Sequence, residues 1–145
     1  MTGTVFAVDA NVIVAMVSDW HDHHERALAE VQRRLERSEV LLTPAAALIE
    51  AYSVLTRLPA PHRADPHIAW NALETGFIEG VDVVSLTSAE AMELLSRLAK
   101  ESIGGGRTYD AIIGECARKG GASVLLTFNV RHFEPPPAGV AIVEP

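Results

Sequence analysis

Cysteine is nearly absent: one thiol, Cys116, stands among 145 residues. No intrachain disulfide can form, and the chain has the thiol content expected of a reducing cytosol. Within Ile112-Ile113-Gly114-Glu115-Cys116-Ala117 the cysteine reads as a small core residue rather than a nucleophile. Positive charge is also scarce. Lys and Arg total 12 against 19 Asp and Glu, a formal net charge of −7. That balance excludes gathering nucleic acid by bulk electrostatics; a nucleic-acid substrate would need local basic groups or a metal to offset phosphate repulsion. Long apolar runs are missing too. None is long enough to cross a bilayer and no basic-then-apolar signal opens the chain, so no membrane partner is expected and a cytoplasmic protein is. Finally, Gly104-Gly105-Gly106 lacks the Lys-Ser/Thr of a phosphate-cradling loop, which excludes that mode of triphosphate binding. The glycines are expected instead to let backbone approach the rim of a site.

What is present suits an α/β domain. Hydrophobic residues make up 48% and charged residues 21%, and a chain of this length can bury roughly two-thirds of its unfolded surface in one core. No repeat or linker divides residues 1–145. Short apolar runs alternate with helix-length segments, the pattern of a mainly parallel sheet. Residues 4–8 read as a buried strand. A helical region follows over 12–17 and on to Arg37, with a break before Asp19. Val40-Leu41-Leu42 is a second strand. Thr43-Pro44 reads as an N-cap followed by proline at the first helical position, opening a helix to about Leu58. Asp65-Pro66 starts another, with Trp70, Leu73 and Phe77 at helical spacing. Residues 81–86 form the third strand candidate. Thr87-Ser88-Ala89-Glu90 is a capping box, and Leu94, Leu95 and Leu98 form the inner stripe of its helix. A helix over 108–119 stops at Gly120-Gly121. Residues 123–126 and 139–143 complete the strands.

Four polar positions interrupt this apolar pattern: Asp9, Glu50, Asp110 and Asn129. Asp9 closes Val5-Phe6-Ala7-Val8, and Asn129 follows Ser123-Val124-Leu125-Leu126-Thr127-Phe128. Both fall at the carboxyl ends of strands, where open parallel sheets place their ligand crevice. Glu50 is the only charge between Val40 and Thr56; it lies roughly 9 Å beyond Pro44 on a helix embedded in apolar sequence. Asp110 opens an apolar helical stretch, with Ile113 and Gly114 on its own face. Each residue has a plainer use. Asp9 can cap a helix, Asp110 can complement a helix dipole, and Asn129 can make a turn. Together they need compensation. Two carboxylates about 4 Å apart repel by roughly 4 kcal/mol at an effective dielectric of 20, and a divalent cation with oxygen ligands reverses the sign.

The segments carrying these residues are Asp9-Ala10-Asn11, Leu48-Ile49-Glu50, Gly104 through Ile113 with Asp110 at its centre, and Leu126-Thr127-Phe128-Asn129-Val130-Arg131-His132-Phe133. In this order and spacing they resemble the four signature segments of PIN domains, most of all the VapC-type toxins of type II toxin–antitoxin modules. The resemblance implies a three-layer α/β/α sandwich and a Mg²⁺- or Mn²⁺-dependent endoribonuclease. It also implies a homodimer inhibited by a cognate antitoxin. Asp9, Glu50 and Asp110 match the three acidic metal-site positions. Asn129 falls where many relatives have a fourth acid, which removes one negative charge from the site. The expected chemistry is hydrolysis of an RNA phosphodiester by water activated at a cation held by Asp9 and Asp110. Glu50 would bind that cation through water or position the attacking water. Asn11 and Thr127 would fix the carboxylates, and Arg107 and Arg131 would contact substrate phosphates.

Other features are weaker. His21, Asp22, His23 and His24 follow the helix break and read as a solvated helix start, since adjacent histidines cannot share a helix face. Arg26, Arg33, Arg34 and Arg37 alternate with Glu25, Glu30, Glu36 and Glu39, a solvated face more than an RNA track. Leu28, Val31 and Leu35 of the same helix could line a groove for an antitoxin helix. Two rival functions remain. A phosphatase of the haloacid dehalogenase type would want a second acid where Asn11 stands. A non-catalytic PIN-like module binding RNA or a protein partner would suit Asn129 and the acidic charge.

Overall fold

The chain closes its core around one sheet whose strands are all parallel. The computed structural model describes residues 3–145. Strand β1 (Val5–Val8) leads into helix α1 (Ala10–Val17), and α2 (His24–Glu36) returns to β2 (Val40–Pro44). Helices α3 (Ala45–Arg57) and α4 (Pro66–Leu73) follow, and α4 continues into a π-helical turn over Glu74–Ile78. Strand β3 (Asp82–Val84), α5 (Ser88–Lys100), α6 (Arg107–Lys119), β4 (Val124–Leu126), a 3₁₀ turn over Val130–Phe133 and β5 (Ala141–Val143) complete the chain. The strand order is β3-β2-β1-β4-β5. The chain winds outward from β1 to β3, then crosses back to place β4 beside β1. That reversal opens the crevice expected between the carboxyl ends of β1 and β4. The helices pack as the outer layers of a three-layer α/β/α fold: α1 against α2 and α3, α6 against β2, β3, β4 and α5.

Most local signals act as expected. The capping box at Thr87 has both halves, with Glu90 N–H donating to the Thr87 hydroxyl and Thr87 N–H to the Glu90 carboxylate. Asp65 caps α4 and Pro66 occupies its first turn. Gly121, at φ +82°, provides the left-handed residue beyond α6.

Several expectations need correction. Thr43 does not cap α3; it belongs to β2, paired with Val83, and Pro44 takes the cap position without a side-chain bond. The Thr43 hydroxyl is buried with no partner among the described residues. The break expected before Asp19 is present, a turn over residues 18–23 that parts the region into two helices. Leu94 and Leu98 are buried, but Leu95 is exposed, so the inner stripe of α5 is narrower than predicted. Val31 lies in the core, with Leu28 half-buried and Leu35 exposed, so the strip proposed for an antitoxin loses its centre. A Cβ built on Gly104, Gly105 or Gly106 meets nothing within 4 Å. The triple glycine therefore serves its turn, where Gly105 has φ +63°, and not a close backbone approach.

Candidate active site at the β1–β4 crevice

Asp9 follows the last residue of β1, and its backbone N–H donates to the Leu126 carbonyl of β4 at 2.9 Å. Its extended backbone makes it the N-cap of α1. The side chain is 4% exposed and both carboxylate oxygens are engaged. Oδ1 accepts from Ala10 N–H at 2.7 Å, and Oδ2 accepts from the Thr127 hydroxyl at 2.8 Å. The Thr127 hydroxyl in turn accepts from the Asn11 side-chain amide at 3.2 Å and from Asn129 N–H at 3.0 Å. One donated and two accepted bonds saturate that oxygen. Asn11 Oδ1 accepts from Phe128 N–H at 3.2 Å, tying α1 to the segment after β4. Thr127 thus braces Asp9 directly, and Asn11 braces it through Thr127.

Burial pushes the Asp9 carboxyl up to about 6; the bonds from Thr127 and Ala10 oppose this, and the charges of Asp110 and Glu50 add to it. Asp110, in the first turn of α6, is also raised, by burial first, against the pull of His132 and Arg107. Glu50 is raised by burial and then by the charge of Asp110, with Arg57 opposing. The three acids therefore lie within electrostatic reach of one another. Even so, no three of the described Asp, Glu, His and Cys side chains stand close enough for a ready-made metal cluster. Mg²⁺ commonly keeps several waters while binding only one or two carboxylates directly. The oxygen-rich donor set suits such an ion.

Glu50 departs from expectation in its surroundings. The residue is exposed but its carboxylate partly sheltered, because only one face of α3, with Ala47, Ala51 and Leu55, is buried, while Ile49 and Tyr52 near it are 72% and 39% exposed. Asn129 is exposed at the entry to the 3₁₀ turn, and its backbone rather than its side chain joins the network. Arg131 is exposed. Arg107 donates to the Glu134 carbonyl, which ties the start of α6 to the segment after the 3₁₀ turn. Cys116 is 1% exposed, and burial pushes its thiol up to about 11, as befits a core residue. The histidines near residue 21 form no metal cluster among the described residues; His24 bonds the Ala15 carbonyl through Nδ1 at 2.8 Å. The sequence reading missed His132, whose Nδ1 lies 3.4 Å from Asp110 Oδ2. The available signal was its place three residues after Asn129, where a helical turn aims it back at the crevice.

The model of the PIN domain matches residues 6–135. The chain belongs to the PIN-domain family. Among curated PIN-type relatives, Ribonuclease VapC40 of Mycobacterium tuberculosis is 39% identical over 130 residues, 90% of each chain. The fold matches M. tuberculosis VapC20, a sarcin-ricin loop cleaving toxin, with TM-score 0.68 at 20% identity over 93% of this chain and 98% of that one. It also matches Rickettsia felis VapBC2 bound to a promoter DNA fragment, with TM-score 0.66 at 15% identity over 97% and 98%.

Proposed function

We propose that this PIN domain is a Mg²⁺- or Mn²⁺-dependent endoribonuclease and the toxin of a toxin–antitoxin pair. The observation that carries the reading is Asp9: a buried carboxylate clamped between β1 and β4, driven up to about 6 and sharing its field with Glu50 and Asp110. An anion held at that cost without a cationic side chain bonded to it is a site shaped for a cation. The 39% identical relative, named as a ribonuclease, supports RNA as the substrate.

Asp9 and Asp110 would hold the ion, with Glu50 reaching it through water. When bound, the cation supplies a more acidic water and polarises a phosphoryl oxygen. The chain's own groups do the positioning. Thr127 and Asn11 keep Asp9 in one rotamer, and Ala10 N–H fixes its other oxygen. Glu50, with a raised pKa and an exposed position, can accept a proton from an attacking water or orient it. His132 beside Asp110 can steady that carboxylate, and Arg131 is free in position to meet a phosphate. Asn129 contributes an amide rather than a fourth charge, so the site favours a single ion.

Two partners follow. The antitoxin is supported by neighbours such as the Salmonella typhimurium VapBC complex. A homodimer is supported by the apolar groove between α3 and α4, lined by Leu48, Ile49, Tyr52, Trp70 and Ile78, since an exposed apolar patch of this kind marks a protein interface. Incubation of labelled RNA with and without Mg²⁺ tests the catalytic reading. Internal cuts that need the metal and disappear in Asp9→Asn and Asp110→Asn are expected. RNA binding without products would favour a non-catalytic module instead.

A further inference from the structure

Beside the crevice, aromatic rings follow one another from the active-site rim toward the loop between α3 and α4. Phe128 and His23 stack with centroids 4.4 Å apart and planes at 17°. His23 and His21 lie 5.7 Å apart, as do His21 and Trp20. Trp20 stacks on His62 at 4.0 Å and 21°. The Arg26 guanidinium lies 5.4 Å from the Phe128 ring centroid. The row is not core: Trp20 is 42% exposed, His62 is exposed, and His21, His23 and Phe128 are only half-buried. It is continuous with the site, because Phe128 lies between Thr127 and Asn129 and gives its N–H to Asn11.

We propose that Trp20, His21, His23 and Phe128 form a stacking track for unpaired nucleobases of the RNA substrate. This rests on the nuclease reading above and names the surface that holds the strand entering its site. The physical reason lies in the charge of the chain. At net −7 it cannot hold RNA by a general cationic field, and Asp19 and Asp22 flank this very loop. Ring-on-base stacking is indifferent to that sign and to base sequence, because every base has a π face. Arg26 adds one cation where the track meets the rim. Burial, with the nearby His23, holds the His21 imidazole below its ordinary value, which favours the uncharged ring. A protein partner could also cover an exposed tryptophan, but would not require a row that ends on the segment bracing Asp9.

The chain has two tryptophans, so Trp70→Phe leaves Trp20 as the only indole reporter. In that background, with Asp110→Asn added to prevent cleavage, a mixed single-stranded RNA of ~10 nucleotides should quench Trp20 emission. In the otherwise intact enzyme, Trp20→Ala should raise KM for single-stranded RNA about ten-fold with kcat kept, and Trp20→Phe should restore most of the loss. That loss should not shrink with added salt, whereas a phosphate contact would. Unchanged KM in Trp20→Ala together with no quenching overturns the track and leaves the nuclease standing. Equal quenching by blunt duplex RNA also overturns it. Quenching by single strands from a protein that cleaves no RNA would sustain the track and remove the nuclease reading.

Discussion

The two walls of the crevice are built differently. On the sheet side, Asp9 is buried, bonded through both oxygens and locked by Thr127, Asn11 and the backbone after β4. On the helix side, Glu50 is exposed, and Asp110 is half-buried with His132 at 3.4 Å and the charge of Arg107 within reach. The contrast has a physical cause. A strand end inside a parallel sheet can be gripped by neighbouring strands, whereas a carboxylate on a helix face depends on where the helix lies. On the proposed reading, one wall would be set before a cation arrived, and the other could be drawn toward it. Fixed placement on one side would lower the ordering cost of binding an ion, while freedom on the other lets three like charges keep their distance.

The contrast can be broken most sharply at the ligands themselves. Asp9→Asn and Asp110→Asn should each lower metal-dependent RNA cleavage by more than ~10³-fold, measured by initial rates on a labelled oligonucleotide; a loss in only one would mean that the walls do not share an ion. Thr127→Val comes next. It removes the hydroxyl that anchors Asp9 and leaves Asn11 and Asn129 N–H short of an acceptor, so activity should fall ~10- to 100-fold. Denaturant unfolding of the same variant should show a loss of ~1–3 kcal/mol. Glu50→Gln should reduce cleavage while leaving unfolding free energy within ~0.5 kcal/mol of wild type, because the residue is exposed. A loss of stability as large as that of Thr127→Val would erase the distinction between the walls.

Titration sharpens the same point. The folded pKa of Asp9, about 6, lies above the ~4 of an unfolded aspartate. In the metal-free protein this group's contribution to stability is therefore fully present below pH ~4 and lost as pH rises through 6, a swing of up to ~3 kcal/mol. A metal held by Asp9 would reverse the preference, since it would bind the ionised carboxylate. At pH 8, Mg²⁺ at a hundred times its Kd should stabilise the fold by ~2.7 kcal/mol, read as a rise in Tm, and the same concentration should give a smaller rise at pH 5. A shift independent of pH would place the ion away from Asp9. The smallest effect is expected at His132→Ala. Its side chain is half-exposed, so stability should change by less than ~1 kcal/mol, with the activity loss confined to a few-fold.

The same division governs what could be read from the sequence. The strand-end position of Asp9 was legible because buried parallel strands leave unbroken apolar runs whose ends stand out. Thr87 and Asp65 were legible because caps act through local bonds. Glu50 was placed correctly along α3, but its surroundings were not. An apolar helix face looks the same whether it meets the core or lines an open groove, and Ile49 and Tyr52 lie in the groove. Leu95 misled for a similar reason. Thr43-Pro44 carries the chemistry of a helix start, yet β3 pairs with it and extends β2 by two residues, a choice made by a strand some 40 positions away. The aromatic row from Phe128 to His62 joins three separate segments and leaves no periodic trace.

Calorimetric titration of Mn²⁺ into wild type, Asp9→Asn and Asp110→Asn at pH 7 addresses the shared cation most directly. The account predicts one saturable site in the wild type that both substitutions weaken severely, the fold of each remaining intact by circular dichroism. Undiminished Mn²⁺ affinity in the two folded variants would contradict it.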